Sequence, residues 1–267
     1  MNPLDSLGEE IIELVESFAS QAVWGDLTFG LTQYMFFFFV AMIALVVVLF
    51  AFKRRQASSI VPHGFFVNAM EWLVDFIRTN MIENVLGDRW RQHFPFLATI
   101  FLTVLFSNLI GMIPGCKPGT GTISITGMLA VCSFCYFVYC GCKAKGVAGY
   151  VKSLAPEGVI FPLNCLVWLI EVISNFLRIV TLAIRLFCNM FAGHIVMGTF
   201  AILASLFVQP LLQAFSAVAL GEAACSIFWI LLLIIIYIME IFVACVQSYV
   251  FTLLSAVYIQ TAEAAEH

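Results

Sequence analysis

Of 267 residues, 63% are apolar and 10% charged, and the mean hydropathy is +1.04. A soluble domain of this length cannot hide so much apolar surface, so the expected solvent is the lipid bilayer. The small formal net charge of −4 argues against nucleic acid as a partner, and continuous rather than alternating apolar runs exclude a membrane β-barrel in favour of helices.

Residues 1–30 hold six acids, Asp5, Glu9, Glu10, Glu13, Glu16 and Asp26, and no Lys or Arg. They resemble neither a secretory signal nor an Arg-rich transit peptide, so no cleavage is expected. The single membrane domain covers 31–262, and its first predicted span, 31–52, is stopped by Lys53, Arg54 and Arg55. Crossing a hydrocarbon core of roughly 30 Å takes about 20 such residues. In 63–93 the charges Glu71, Asp75, Arg78, Glu83, Asp88, Arg89 and Arg91 interrupt Trp72, Leu73, Phe76 and Ile77, the pattern of an interfacial amphipathic helix. A second span, 94–113, ends at Pro114-Gly115, a Gly-rich turn follows over 117–122, and a third span, 123–142, leads to Lys143, Lys145 and Lys152.

The next stretch, 161–207, is 47 residues long with Pro162 at its start and no proline after it; as one helix it would extend about 70 Å, over twice a bilayer. Either it breaks near 189–193 or it tilts strongly. A connector with Gln209, Pro210, Gln213, Ser216, Gly221 and Glu222 precedes a second overlong helix, 225–260. The expected fold is therefore an all-α polytopic membrane protein with about five membrane helices, the last two forming a long tilted hairpin. With the N-terminus outside, nine of the twelve basic residues fall in inner loops, and the tail 263–267, with Glu263, Glu266 and His267, is inside.

The nine cysteines lie mostly in apolar segments, where a thiol is a small hydrophobe. Cys132, Cys135, Cys140 and Cys142 sit among Phe134, Tyr136, Phe137 and Tyr139, so neither a metal nor a redox centre is expected there, and no cofactor elsewhere. Of the four histidines, His63 and His93 read as interfacial and His267 as terminal, leaving His194 in a helix core. A two-histidine haem site then lacks ligands, which speaks against a membrane redox enzyme.

Charged groups inside a bilayer cost roughly 2.5–3.5 kcal/mol each on insertion scales. The two long helices carry Glu171, Arg178, Arg185, His194, Glu222 and Glu240. Glu171, Arg178 and Arg185 are seven apart, so they drift only about 20° per step and share a face; His194 is on the opposite face. Glu240 and Gln247 are likewise seven apart. Glu171 with Arg178 can be simple helix-to-helix pairing, and His194 with Glu240 either a structural pair or a proton relay. Arg185 has no acid within one turn, so its counter-charge is expected from elsewhere.

The run Ile184-Arg185-Leu186-Phe187-Cys188-Asn189-Met190-Phe191-Ala192-Gly193-His194 resembles the signature of F-type ATP synthase subunit a. Glu171 and Arg178, fourteen and seven residues before Arg185, stand at that family's acidic and basic positions. Glu240 with Gln247, the close Val257-Tyr258-Ile259-Gln260, and Asn108-Leu109-Ile110-Gly111-Met112-Ile113-Pro114 resemble its other motifs. The likeness spans roughly 31–262. Ile179 follows Arg178 where many members have proline, and His194 and Glu240 carry the imidazole and the acid in exchanged positions relative to many bacterial members.

The resemblance implies a non-catalytic, proton-translocating stator subunit of a rotary, proton-transporting two-sector ATPase. Its partners would be the c-ring proteolipids, the peripheral-stalk b subunits and the other synthase subunits, in a bacterial plasma membrane or an organelle inner membrane. Arg185 would attract each ring carboxylate and separate two offset half-channels; His194 and Glu240, with Glu222, would line the outer path, and Glu171 the inner one. Asn189, Gln247 and Arg178 complete the expected ion-translocation set. The absence of a G-x-x-x-x-G-K-[ST] loop agrees with a non-catalytic role. A self-contained transporter would need a pore closed within one chain, which the overlong helices and the lone Arg185 disfavour.

Overall fold

The computed structural model describes residues 7–18, 22–24, 31–57, 64–113, 115–153, 163–213 and 217–264; at 22–24, 31, 57, 209–213 and 217–225 the description is of the backbone. The described chain is helical apart from a short antiparallel ladder of β1 (Ala22–Trp24) and β2 (Leu31–Thr32). The helices are α1 (Leu7–Ser17), α2 (Gln33–Ala57), α3 (Phe65–Phe76), α4 (Asn84–Leu86), α5 (Trp90–Gly111), α6 (Ile123–Lys145), α7 (Val147–Lys152), α8 (Leu163–Gln213) and α9 (Ala217–Glu263). Five helical stretches are long and apolar enough to cross a membrane: Gln33–Gln56, Phe65–Gly111, Ile123–Lys145, Leu163–Val208 and Ser226–Glu263. The expected all-α polytopic architecture is thus present.

The segment read as amphipathic is built of α3, a π-helical stretch Ile77–Glu83, α4 and a 3-10 turn Gly87–Arg89. Ile77, Met81 and Ile82 are fully buried, while Asp75, Arg78, Glu83, Asp88, Arg89 and Arg91 point outward. The wider π turn keeps the buried residues on one side, against α5 and α9. Gly87, at φ 56, turns the chain into α5.

The longest helix, α8, has 51 residues and passes through 189–193 without a break, so of the two alternatives the unbroken one holds. Its length is about 75 Å. The helix also continues through Pro210 to Gln213, and α9 resumes at Ala217, so the backbone of most of the expected connector is helical. α9 extends to Glu263 and takes in a residue that the sequence placed in the tail. α8 and α9 run side by side, with α5 and α6 packed against them and α2 outside α5. One core joins Ile77, Leu97, Phe101, Phe137 and Ile259, and a second joins Val104, Ala130, Leu182, Leu186 and Phe251. Together they fix the heights of α5, α8 and α9, and so of the polar residues those helices carry.

Candidate functional site: an unpartnered arginine between two polar clusters

On α8 the buried positions Leu182, Ala183, Leu186 and Met190 follow the 3.6 period and face the bundle. The opposite strip carries Leu177, Thr181, Ile184, Arg185, Cys188, Ala192 and Val196, all exposed. Arg185 is the one charge on that strip, and among the described residues it has no hydrogen bond or ion pair. The outer face of α9 is apolar as well, with Ile227, Leu231, Ile234, Ile238, Phe242 and Val246 exposed.

Arg178 and Glu171 behave differently, although they share the seven-residue spacing. Arg178 Nη2 lies 3.5 Å from Glu171 Oε1, Nη1 donates to Asn175 Oδ1 at 2.9 Å, and the guanidinium stacks 5.1 Å from the Tyr258 ring centre. A cation–π contact of this kind is worth about 0.5–2 kcal/mol. These residues line an open cavity of about 300 Å³ with Lys145 and Tyr150. Asn175 and Tyr258 were not singled out in the sequence. Tyr258 was visible only as part of a motif, and Asn175 only as a polar residue one turn before Arg178.

Toward the other end of α8, His194 Nδ1 lies 2.9 Å from the Met190 carbonyl and Nε2 3.0 Å from the Gly111 carbonyl. A neutral imidazole donates to one of these oxygens and only the imidazolium donates to both. The Gly111 carbonyl belongs to the last turn of α5, whose carbonyls have no partner within the helix; the Tyr237 hydroxyl of α9 donates to the next one, Met112, at 2.6 Å. Glu240 presses its carboxylate onto the backbone of Gly193, where a Cβ would occupy the same space. Glu240 and His194 are close enough to interact electrostatically, yet no hydrogen bond or ion pair joins them directly. One Glu240 oxygen, Asn189 Nδ2, Gln247 Nε2 and Asn108 Nδ2 are buried without a hydrogen-bond partner. The side chain of Glu222 lies outside the described residues, as do His63 and His267.

The acidic N-terminal segment also reaches this cluster. α1 packs on α8: Leu14 fills the space over Gly198, and Phe18 sets its ring edge-on to Phe191 and to His194 at 6.4 Å. Lys117 holds the junction by donating to the Ser17 carbonyl, between the rings of Phe18 and Tyr34. Burial lowers the pKa of Lys117 below the usual lysine value. Nothing in 1–30 marked this contact, because its partners lie far along the chain.

The family model described as ATP synthase A chain matches residues 34–260. ATP synthase subunit a of Myxococcus xanthus (strain DK1622) is 34% identical over 267 residues, which covers 97% of this chain and 79% of that protein. ATP synthase subunit a 2 of Prosthecochloris aestuarii is 35% identical over 249 residues, covering 92% and 72%, and its namesake from Chlorobium luteolum is 37% identical over 227 residues, covering 84% and 62%. A family match over most of the sequence, joined to this five-span helical fold, establishes that the chain belongs to the ATP synthase A chain family.

Proposed function

We propose that the chain is the proton-translocating stator subunit of a rotary F-type ATP synthase and performs no chemistry on ATP itself. The observation that carries this reading is Arg185, exposed and unpartnered on an otherwise apolar strip of α8. Facing lipid, such a cation costs roughly 2.5–3.5 kcal/mol or more. A ring of c-subunit proteolipids, each presenting a membrane carboxylate, removes that cost by passing a counter-charge in front of it. Because arginine stays charged at any working pH, it also bars protons from crossing directly between the two sides.

The polar clusters on either side of Arg185 serve as offset half-channels. His194, Glu240, Asn189 and Gln247 form the outer path, with Glu222 at its mouth. Their buried unpartnered atoms favour ordered water, since a dry polar group costs about 1–3 kcal/mol. Glu171, Asn175 and Arg178 line the inner path through the open cavity. Each proton falling through 100 mV releases about 2.3 kcal/mol, so several passages accompany each ATP. The peripheral-stalk b subunits hold the assembly against rotation, and the bacterial relatives favour a bacterial plasma membrane.

Arg185→Lys is the deciding experiment in the reconstituted synthase. Lysine keeps a cation but loses the planar fork and can lose its proton when desolvated. The expected result is an assembled complex with no proton-driven ATP synthesis in either Arg185→Lys or Arg185→Ala, and a passive proton leak that persists or rises in the latter. Near wild-type synthesis by assembled Arg185→Lys overturns the reading.

A further inference from the structure

Far from His194, where α5 begins and α6 and α9 end, His93, Cys140 and Glu263 converge from three helices, with one ligand-type atom of each within 4.8 Å of the others. His93 is 3% exposed, Cys140 5%, and the Glu263 side chain 11%. His93 Nε2 lies 3.2 Å from Glu263 Oε1, yet it is misaligned for a hydrogen bond and stands among the buried atoms without a partner.

The remaining polar atoms of these side chains are already engaged. His93 Nδ1 is 3.2 Å from the Tyr136 hydroxyl, and Glu263 Oε2 accepts from Arg89 Nη1 at 3.2 Å. A histidine that ligates through one nitrogen and hydrogen-bonds through the other, beside a carboxylate steadied at its free oxygen, is the outer-shell pattern of protein metal sites. The donors are one nitrogen, one sulfur and one oxygen. Calcium and magnesium take oxygen sets, whereas a borderline divalent ion such as Zn²⁺ accepts all three at about 2.0–2.3 Å. Tetrahedral angles at those bond lengths place neighbouring donors roughly 3.3–3.7 Å apart. Cys140 Sγ is 3.9 Å from Nδ1, so binding requires it to move toward Nε2 and the spread of up to 4.8 Å to narrow to that range.

We propose that His93 Nε2, Cys140 Sγ and Glu263 Oε1 form a three-ligand site for a Zn²⁺-like ion that ties α5, α6 and α9 together, with water in the fourth position. Binding releases the thiol proton to solvent, and thiolate and carboxylate then cancel the two charges of the ion. The proposal does not depend on the half-channel reading, because none of its residues belongs to either path.

Cobalt makes the test optical. The purified, chelator-treated synthase complex is titrated with Co²⁺. The expected result is a thiolate-to-cobalt charge-transfer band at one ion per copy of this chain, displaced by Zn²⁺, lost in Cys140→Ala and retained in Cys142→Ala. Glu263→Gln, which keeps size and shape, is expected to weaken Co²⁺ binding by about tenfold or more, and it decides the matter if Cys140→Ala does not assemble. No band in the wild type, a band that survives Cys140→Ala, or unchanged affinity in Glu263→Gln overturns the site.

Discussion

Gly193 leaves no room for a side chain, because the Glu240 carboxylate occupies the place a Cβ would take. Gly193→Ala must therefore push Glu240 aside or part α8 from α9. Overpacking of this sort costs about 1–3 kcal/mol, and here the displaced group is the acid of the proposed outer path. The expectation is an assembled complex with proton uptake reduced severalfold, measured by acridine-dye quenching in vesicles. Gly198→Ala meets only the flexible end of Leu14 and is expected to leave uptake nearly unchanged. Equal losses in the two variants would show that packing, not the carboxylate, sets the effect. Glu240→Gln keeps the volume but cannot carry a proton. Uptake should slow and its pH profile should change shape, whereas wild-type flux with an unchanged profile would return Glu240 to a packing role.

At the scale of elements, the carbonyl end of α5 is closed by two neighbours: His194 of α8 at Gly111 and Tyr237 of α9 at Met112. Tyr237→Phe removes one such bond, worth about 0.5–1.5 kcal/mol. It is expected to lower the thermal stability of the assembled complex modestly and leave coupling intact; loss of coupling at full assembly would make Tyr237 part of the proton path. This three-helix junction shows where sequence reading stops. The spans, the overlong pair, and Arg185 as a charge without a local partner were all legible, since they follow from hydropathy and helical phase. Phase also put Arg178 and Arg185 on one face and offered Glu171 as partner of the first, but it could not show that Tyr258 of α9 and Asn175 engage Arg178 as well. His93 read as interfacial, yet it is buried against Tyr136 and Glu263. Contacts between distant helices depend on rotation and height, which periodicity within one helix does not fix.

For the whole molecule, the outward strip of α8 should be the surface the ring passes. Cys188 is exposed on that strip three residues beyond Arg185. In otherwise cysteine-free protein it is expected to form a disulfide with a cysteine placed on the outer ring helix, and the cross-link should stop rotation reversibly. Cys165 and Cys245, also exposed, serve as comparison sites, and cross-linking at Cys188 no better than at either would place the ring elsewhere. The orientation is tested separately: cysteines at 53–55 and 143–152 should react with impermeant reagents from the same side, and one at 217–222 from the other. Labelling of all three from one side would overturn the topology.

The two ends of the chain are fastened to partners made at very different times. Leu14 finds its seat on Gly198, and Arg89 meets Glu263 across 174 residues of sequence. At roughly 5–20 residues per second, the ribosome needs about 9–35 s to bridge the second interval. α1 has no α8 to dock on until Gly198 is made, and until Glu263 is made the Arg89 charge before α5 has no carboxylate to hold. A nascent or prematurely terminated chain can thus insert its early spans and still lack both closures.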